Sequence, residues 1–344
     1  MKALITEETK TVKVEEIPVP EIDENDVLVK NEAIALNPTD WKHVHIVTNA
    51  GSIVGCDFAG TIAKVGKNVT SLAVGDRVAG FTQGGTWNDV GAFAEYSRTP
   101  GDLVWKIPST LTQDQAATLG CAYWTAVQAL FAPGRLDLIE PPAKVTESKW
   151  ILIYGASTSV GLYAIQLAHL AGYKIVATAS PKNHELAKSL GADVVLDYKD
   201  PDVVNKIKQV TGDSIHLGFD TVSLESSQDI SIKSFASGPG KLLVILAPSQ
   251  AAQAIRPDVP IQVTLIYTAL GRAFNYRGSQ HPVIPEDRSH MVEFLKKTPE
   301  LVNSGAVRPN PVKLWPGGLE SVKDGLDYLK EGKNSGEKVV YRIA

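Results

Sequence analysis

The chain has 344 residues, with 34 lysines and arginines against 38 aspartates and glutamates, a net charge of −4. Hydrophobic residues make up 44% and charged residues 21%, ordinary values for a globular enzyme. This balance gives no electrostatic reason to expect a nucleic acid or an anionic membrane as partner. The length admits two domains. No apolar run of about 18 residues occurs, so no membrane-spanning helix is expected. The start, Met1-Lys2-Ala3-Leu4-Ile5-Thr6-Glu7, reads as free of a signal-peptide core. Two cysteines, Cys56 and Cys121, without such a signal imply a cytoplasmic chain with free thiols.

In chain order, the first third reads as β-rich. Residues 2–6 and 12–17 alternate apolar and polar side chains, as half-buried strands do. A strand is expected over 26–35, after the acidic turn Asp23-Glu24-Asn25, and short strands over 58–65, 77–81 and 91–97. Many short strands between Gly, Pro and Asp suggest a barrel-like or folded-sheet domain. One helix is predicted over 113–131, rich in Ala and Leu. From residue 150 strand and helix alternate. Strands are predicted at 150–154, 174–179, 193–196, 217–221 and 241–246, and helices at 160–171, 183–190, 202–211 and 226–236. That alternation predicts an α/β fold, a parallel doubly wound sheet with crossover helices. The tail is predicted as a helix (288–295), a strand (312–314), a helix (318–329) and a strand (338–343), returning to the first domain.

The sharpest local feature is the turn Gly155-Ala156-Ser157-Thr158-Ser159-Val160-Gly161 between the strand at 150–154 and the next helix. Backbone N–H groups there suit a pyrophosphate, aided by the helix dipole. Gly155 fits the turn and Gly161 fits close helix–strand packing, while Thr158 and Ser159 stand where the middle glycines of the usual fingerprint would be, their hydroxyls expected to donate to phosphate directly. The plain alternative is an ordinary strand–helix turn; the five alternating units favour a dinucleotide. The second strand ends Ala179-Ser180-Pro181-Lys182-Asn183, with no acid for a ribose 2′-hydroxyl. Ser180, Lys182 and Asn183 suit a 2′-phosphate instead, and Tyr198 can lie near the ribose or adenine, so NADPH is the expected cofactor.

These residues, with Asn37-Pro38-Thr39-Asp40-Trp41, Gly55-Cys56-Asp57-Phe58-Ala59-Gly60, Val74-Gly75-Asp76-Arg77-Val78 and Gly91-Ala92-Phe93-Ala94-Glu95-Tyr96, resemble the medium-chain dehydrogenase/reductase superfamily over nearly the whole chain. Ser180–Asn183, Leu186-Ala187-Lys188 and Gly191-Ala192 look most like the fungal trans-acting enoyl reductases that partner polyketide synthases, and their toxin-cluster relatives. The resemblance implies a GroES-like folded β-barrel catalytic domain (1–122 and 280–344), a Rossmann domain (123–279), and a cleft where nicotinamide meets substrate. The zinc enzymes of the superfamily use Cys, His and Cys; the aligned residues are Asn37, Cys56 and Cys121, so no metal is expected. His43-Val44-His45 is read as an exposed loop.

Without a metal, such an enzyme delivers hydride to the β-carbon of an α,β-unsaturated carbonyl or thioester, and the enolate oxygen then needs donors. The resemblance places Asn37 near the nicotinamide ribose and Thr125 close to the nicotinamide; Lys42 follows the Asn-Pro motif and suits an enolate, a thioester carbonyl or a phosphate-bearing carrier arm. No tyrosine occurs in residues 43–49, so the proton donor is unassigned and water serves as well as any residue. The region 263–276 is either substrate wall and dimer edge or plain core. The alternatives are a quinone oxidoreductase and a non-catalytic NADPH-binding protein. The expected partner is a small or carrier-bound unsaturated carbonyl substrate and a polyketide synthase, with neither nucleic acid nor membrane.

Overall fold

Alternating side chains put the first strands where one face can be buried. β1 (Lys2–Thr6) and β2 (Val12–Glu16) form an antiparallel hairpin. β3 (Asp26–Ala35) follows, then helix α1 (Pro38–Ile46), β4 (Asp57–Val65), β5 (Arg77–Phe81), β6 (Tyr96–Pro100) and β7 (Val104–Lys106). The computed structural model describes residues 1–46, 50–276 and 278–343. α1 replaces the exposed loop expected around His43, and His43 is buried within it, its Nδ1 donating to the Gly84 carbonyl at 2.8 Å. Residues 47–49 of that stretch lie outside the described residues. The strand expected over 91–97 begins only at Tyr96. Ala92, Phe93 and Ala94 are buried in succession rather than alternately, and Asn31 Nδ2 donates to the Ala92 and Ala94 carbonyls at 3.1 and 2.8 Å in place of a ladder.

The helix expected over 113–131 is broken. α2 (Gln113–Ala116) starts with a capping box between Thr112 and Gln115, and α3 (Cys121–Phe131) restarts after Gly120. A Cβ on Gly120 would lie 2.3 Å from Asp57 Oδ1, so only glycine allows the chain to pass this carboxylate.

The middle of the chain alternates β8 (Trp150–Tyr154), α4 (Ser159–Leu170), β9 (Lys174–Thr178), α5 (His184–Ser189), β10 (Val194–Leu196), α6 (Val203–Thr211), β11 (Leu217–Asp220), α7 (Glu225–Lys233), β12 (Lys241–Val244), α8 (Gln250–Ile255) and β13 (Ile261–Val263). All the strand pairs are parallel, in the order β10-β9-β8-β11-β12-β13. The order reverses beside β8, the switch point at which such sheets bind ligands. Leu152, Val176, Ile207, Ile232, Phe235 and Leu242 build its core.

The tail carries β14 (Phe274–Tyr276), β15 (Ser279–His281), α9 (Pro285–Leu295), α10 (Thr298–Asn303), β16 (Val312–Trp315), α11 (Val322–Lys330) and β17 (Lys338–Arg342). A seven-stranded sheet runs β16-β17-β3-β4-β5-β7, with β6 also on β3. The chain thus divides into Met1–Trp124 with Tyr267–Ala344, and Thr125–Ile266. The sequence sets the changeovers after 122 and 279. In the structure the later one falls before Tyr267, whose ring lies 5.4 Å from His43 and 5.9 Å from Phe81, both in the first unit.

Candidate functional site

The first unit gathers a buried polar network at the end of β3. Ala35 pairs with Asp57 on one side and Val340 on the other, so strand register alone brings the start of β4, the start of β17 and the residue after β3's exit together. Asp57 is fully buried. Its Oδ1 accepts from the Cys121 amide at 2.6 Å, and its Oδ2 accepts from Asn37 Nδ2 at 2.9 Å and pairs with Lys338 Nζ at 3.0 Å. Lys338, 1% exposed, also donates to Asn37 Oδ1. A carboxylate and an ammonium can be buried at this depth because each compensates the other and an amide satisfies what remains.

Asp40 adds a second carboxyl. Its Oδ2 accepts from the Asn37 N–H at 2.6 Å. Burial first, and then the charge of Asp57, push its pKa up to about 7. The Cys56 thiol beside it is pushed up by burial, and so is the Tyr267 hydroxyl, which lies 2.5 Å from Thr39 Oγ1. Among the described residues no group of three or more His, Cys, Asp or Glu side chains is placed to hold a metal ion.

The second unit builds a different kind of site at the switch point. Gly155 has φ +86°, and a Cβ on Gly161 would lie 2.2 Å from the Gly155 carbonyl oxygen, so α4 can start hard against the turn only with glycine there. Ser157, Thr158, Ser159 and Val160 are half-buried at the start of α4, a helix of twelve residues. Thr158 caps it: its Oγ1 accepts from the Gly161 N–H at 2.9 Å and lies 2.8 Å from Thr221 Oγ1. Thr221 in turn donates to the Tyr154 and Gly155 carbonyls at 2.9 and 3.1 Å. At the end of β9, Ser180 is half-buried, Lys182 exposed and Asn183 buried. The Tyr198 ring lies 6.3 Å from Tyr154.

Residues 23–109 match the alcohol dehydrogenase GroES-like domain, and residues 159–295 match the family described as zinc-binding dehydrogenase. The trans-enoyl reductase ACTTS2 of Alternaria alternata is 40% identical over 347 residues, covering 99% of this chain and 98% of its own. The trans-enoyl reductase FSL5 of Gibberella zeae is 34% identical, over 99% and 96% of the two chains. The chain belongs to the trans-enoyl reductases of the medium-chain dehydrogenase/reductase superfamily. It is an oxidoreductase of the enoyl reductase type. The fold is also that of mycobacterial Rv1454c complexed with NADPH, at a TM-score of 0.77 and 22% identity over 99% of this chain and 100% of that one.

In this trans-enoyl reductase the residues singled out from sequence fall into separate settings. Asn37 and Lys42 lie in the first unit, Thr125 and the glycine turn in the second. Asn37 is anchored by the buried network through Nδ2, Oδ1 and its backbone N–H. Lys42 is half-buried on α1, its Nζ 5.7 Å from the Trp41 ring centroid. Thr125 is 6% exposed in α3. Thr158, expected to donate to phosphate through its hydroxyl, spends that hydroxyl on the helix cap and Thr221. Sequence reasoning missed Lys338 and gave Asp57 no role of its own. Asp57 sits inside a quoted motif, so a signal existed; Lys338 had only its place at the head of the apolar run Val339-Val340-Tyr341.

Proposed function

We propose that this chain uses NADPH, without zinc, to reduce the carbon–carbon double bond of an α,β-unsaturated carbonyl compound or thioester, and that it does so in the cytoplasm on substrate carried by a polyketide synthase. The observation that carries the cofactor reading is the glycine turn at the switch point, followed by a strand end with an exposed lysine and no acid. The backbone N–H groups of Ser157, Ser159 and Val160 suit the pyrophosphate. Ser180, Lys182 and Asn183 suit a 2′-phosphate, and Tyr198 the adenosine end.

NADPH supplies a hydride when bound. That hydride would go to the substrate β-carbon, so the chain's own residues would have to stabilise the negative charge left on the carbonyl oxygen, as in an enolate, and let a proton reach the α-carbon. The Lys42 ammonium is the donor proposed for the enolate oxygen, and the Thr125 hydroxyl is proposed to orient the nicotinamide carboxamide. Asn37 acts from a fixed position set by Asp57 and Lys338, and water delivers the α-proton. Zinc is disfavoured by the chemistry of the donor set, because the amide standing at the first ligand position already has both its atoms engaged.

The test is NADPH oxidation with an enoyl thioester, an alkenal and a quinone in parallel, with elemental analysis of the same preparation. Thioester or alkenal reduction by zinc-free protein is expected; turnover of the quinone alone, or one zinc per chain, overturns the reading. Lys182→Ala should weaken NADPH binding about tenfold and leave NADH almost unchanged. Lys42→Ala and Thr125→Ala should each lower turnover, on the order of a hundredfold, at unchanged NADPH affinity.

A further inference from the structure

The first unit also contains an open cavity of about 540 Å³. Part of its wall is apolar: Val90, Pro100, Leu103 and Leu270. The rest is polar, and its charges are not equivalent. Arg98 holds all three wall carboxylates, with Nε 2.6 Å from Asp26, Nη1 3.3 Å from Asp89, and Asp23 on Nη2. Arg288 is bound through both terminal nitrogens to Asp102, at 2.9 and 2.8 Å. Arg272 has no acceptor among the described residues, and its guanidinium lies 3.9 Å from the centroid of the Trp87 ring. Contact with the ring face holds the guanidinium in place without using its N–H groups as donors to an oxygen, and a guanidinium so placed can bind a carboxylate with two parallel hydrogen bonds.

A second observation points the same way. Gln83 lines this cavity, is 1% exposed, and its Nε2 has no hydrogen-bond partner. A buried amide donor left unpaired is costly unless something supplies an acceptor. The cavity also borders the buried network through the chain: Thr82 and Gln83 follow Phe81, and Leu270 to Arg272 follow Tyr267, and these two rings stack at 5.9 Å.

We propose that this cavity seats a carboxylate on the end of an apolar chain, with Arg272 and Gln83 as its donors. Resting on the enoyl reductase reading, the preferred substrate is then an enoyl compound that carries a carboxylate at its far end. The seat itself is tested without turnover. Hexanoate and hexan-1-ol are titrated into the full chain by calorimetry, for the wild type, Arg272→Gln and Gln83→Leu. Hexanoate should bind saturably, and Arg272→Gln should weaken it about tenfold or more while hexanol is unaffected. Arg272 is exposed, so this variant is expected to fold, and a melting curve verifies it. Gln83→Leu should weaken hexanoate less, without loss of melting temperature, because no protein partner is abandoned. Equal binding of acid and alcohol, or hexanoate binding indifferent to Arg272→Gln, overturns the proposal, and indifference to Gln83→Leu removes the amide from the seat.

A kinetic arm separates this from the function it rests on. Matched enoyl thioesters ending in methyl or carboxylate are compared for kcat/KM. Reduction of both with no preference overturns the substrate inference and leaves the enoyl reductase reading intact. Arg272-dependent hexanoate binding without reduction of either thioester supports the seat and overturns that reading instead.

Discussion

A carboxylate, an ammonium and an amide are buried together in the first unit, and strands β3, β4 and β17 bring them there from Asn37, Asp57 and Lys338. The second unit meets its comparable need, satisfying backbone groups at a tight turn, with hydroxyls alone: Thr158 and Thr221 bond within the turn, and Thr178 Oγ1 accepts from the Gly155 N–H at 3.1 Å. The two solutions differ in what they tolerate. Neutral hydroxyls carry no large desolvation cost, so losing one costs a single cap or hydrogen bond. Buried opposite charges are worth little net while paired, but removing one leaves the other stranded. The buried network of the first unit is therefore all-or-nothing, and the glycine turn of the second is held by several small, separable contributions.

Lys338→Met gives this contrast its severest test. It leaves the Asp57 carboxylate buried without its counter-ion, and should lower unfolding free energy by about 3–5 kcal/mol in urea denaturation at neutral pH. The double variant Lys338→Met with Asp57→Asn should lose less than Lys338→Met alone, since no charge is stranded. A single-mutant loss as small as that of a surface lysine would show that the Asp57–Lys338 pair does not hold the first unit together.

Asp40→Asn sharpens the comparison through pH. The folded-state pKa of Asp40, about 7, lies above the ordinary value of 3.8, so the folded protein binds a proton that the unfolded chain has lost. Its contribution is fully present below about pH 4 and is lost as pH rises through about 7. The wild type should therefore lose melting temperature across that window relative to Asp40→Asn, whose side chain does not titrate. Parallel curves for the two proteins would contradict the raised pKa.

Thr158→Ala is the mildest change. Removing the α4 cap should cost about 1 kcal/mol, seen as a small fall in melting temperature. NADPH affinity should fall no more than this loss of turn order explains. An affinity loss much greater than the stability loss would return the hydroxyl to the phosphate, as the sequence first suggested.

The second unit was legible because its information is local. Its turn, its helix cap and its alternating strands each occupy a short run of residues, and strand and helix periodicities differ enough to be read directly. Predicted and observed strands there begin and end within a few residues of each other, as at Trp150–Tyr154. What escaped was non-local: β13, reached through the short α8, completes the sheet by pairing with β12 rather than through any strong pattern of its own.

In the first unit the sequence by itself determined the longer strands, such as β3 and β4, the Asn-Pro motif and the family, because alternation and clustered glycines survive without a partner in view. Only the tertiary structure decided which polar residues work together. Asn37, Asp57, Cys121 and Lys338 meet because Ala35 lies in register with Asp57 and Val340. Gly120 breaks the expected helix because the Asp57 carboxylate occupies the space a side chain would need. His43 turns inward because Gly84 offers a carbonyl. None of these has a periodic signature: a buried charge is defined by what surrounds it, and its surroundings come from distant parts of the chain.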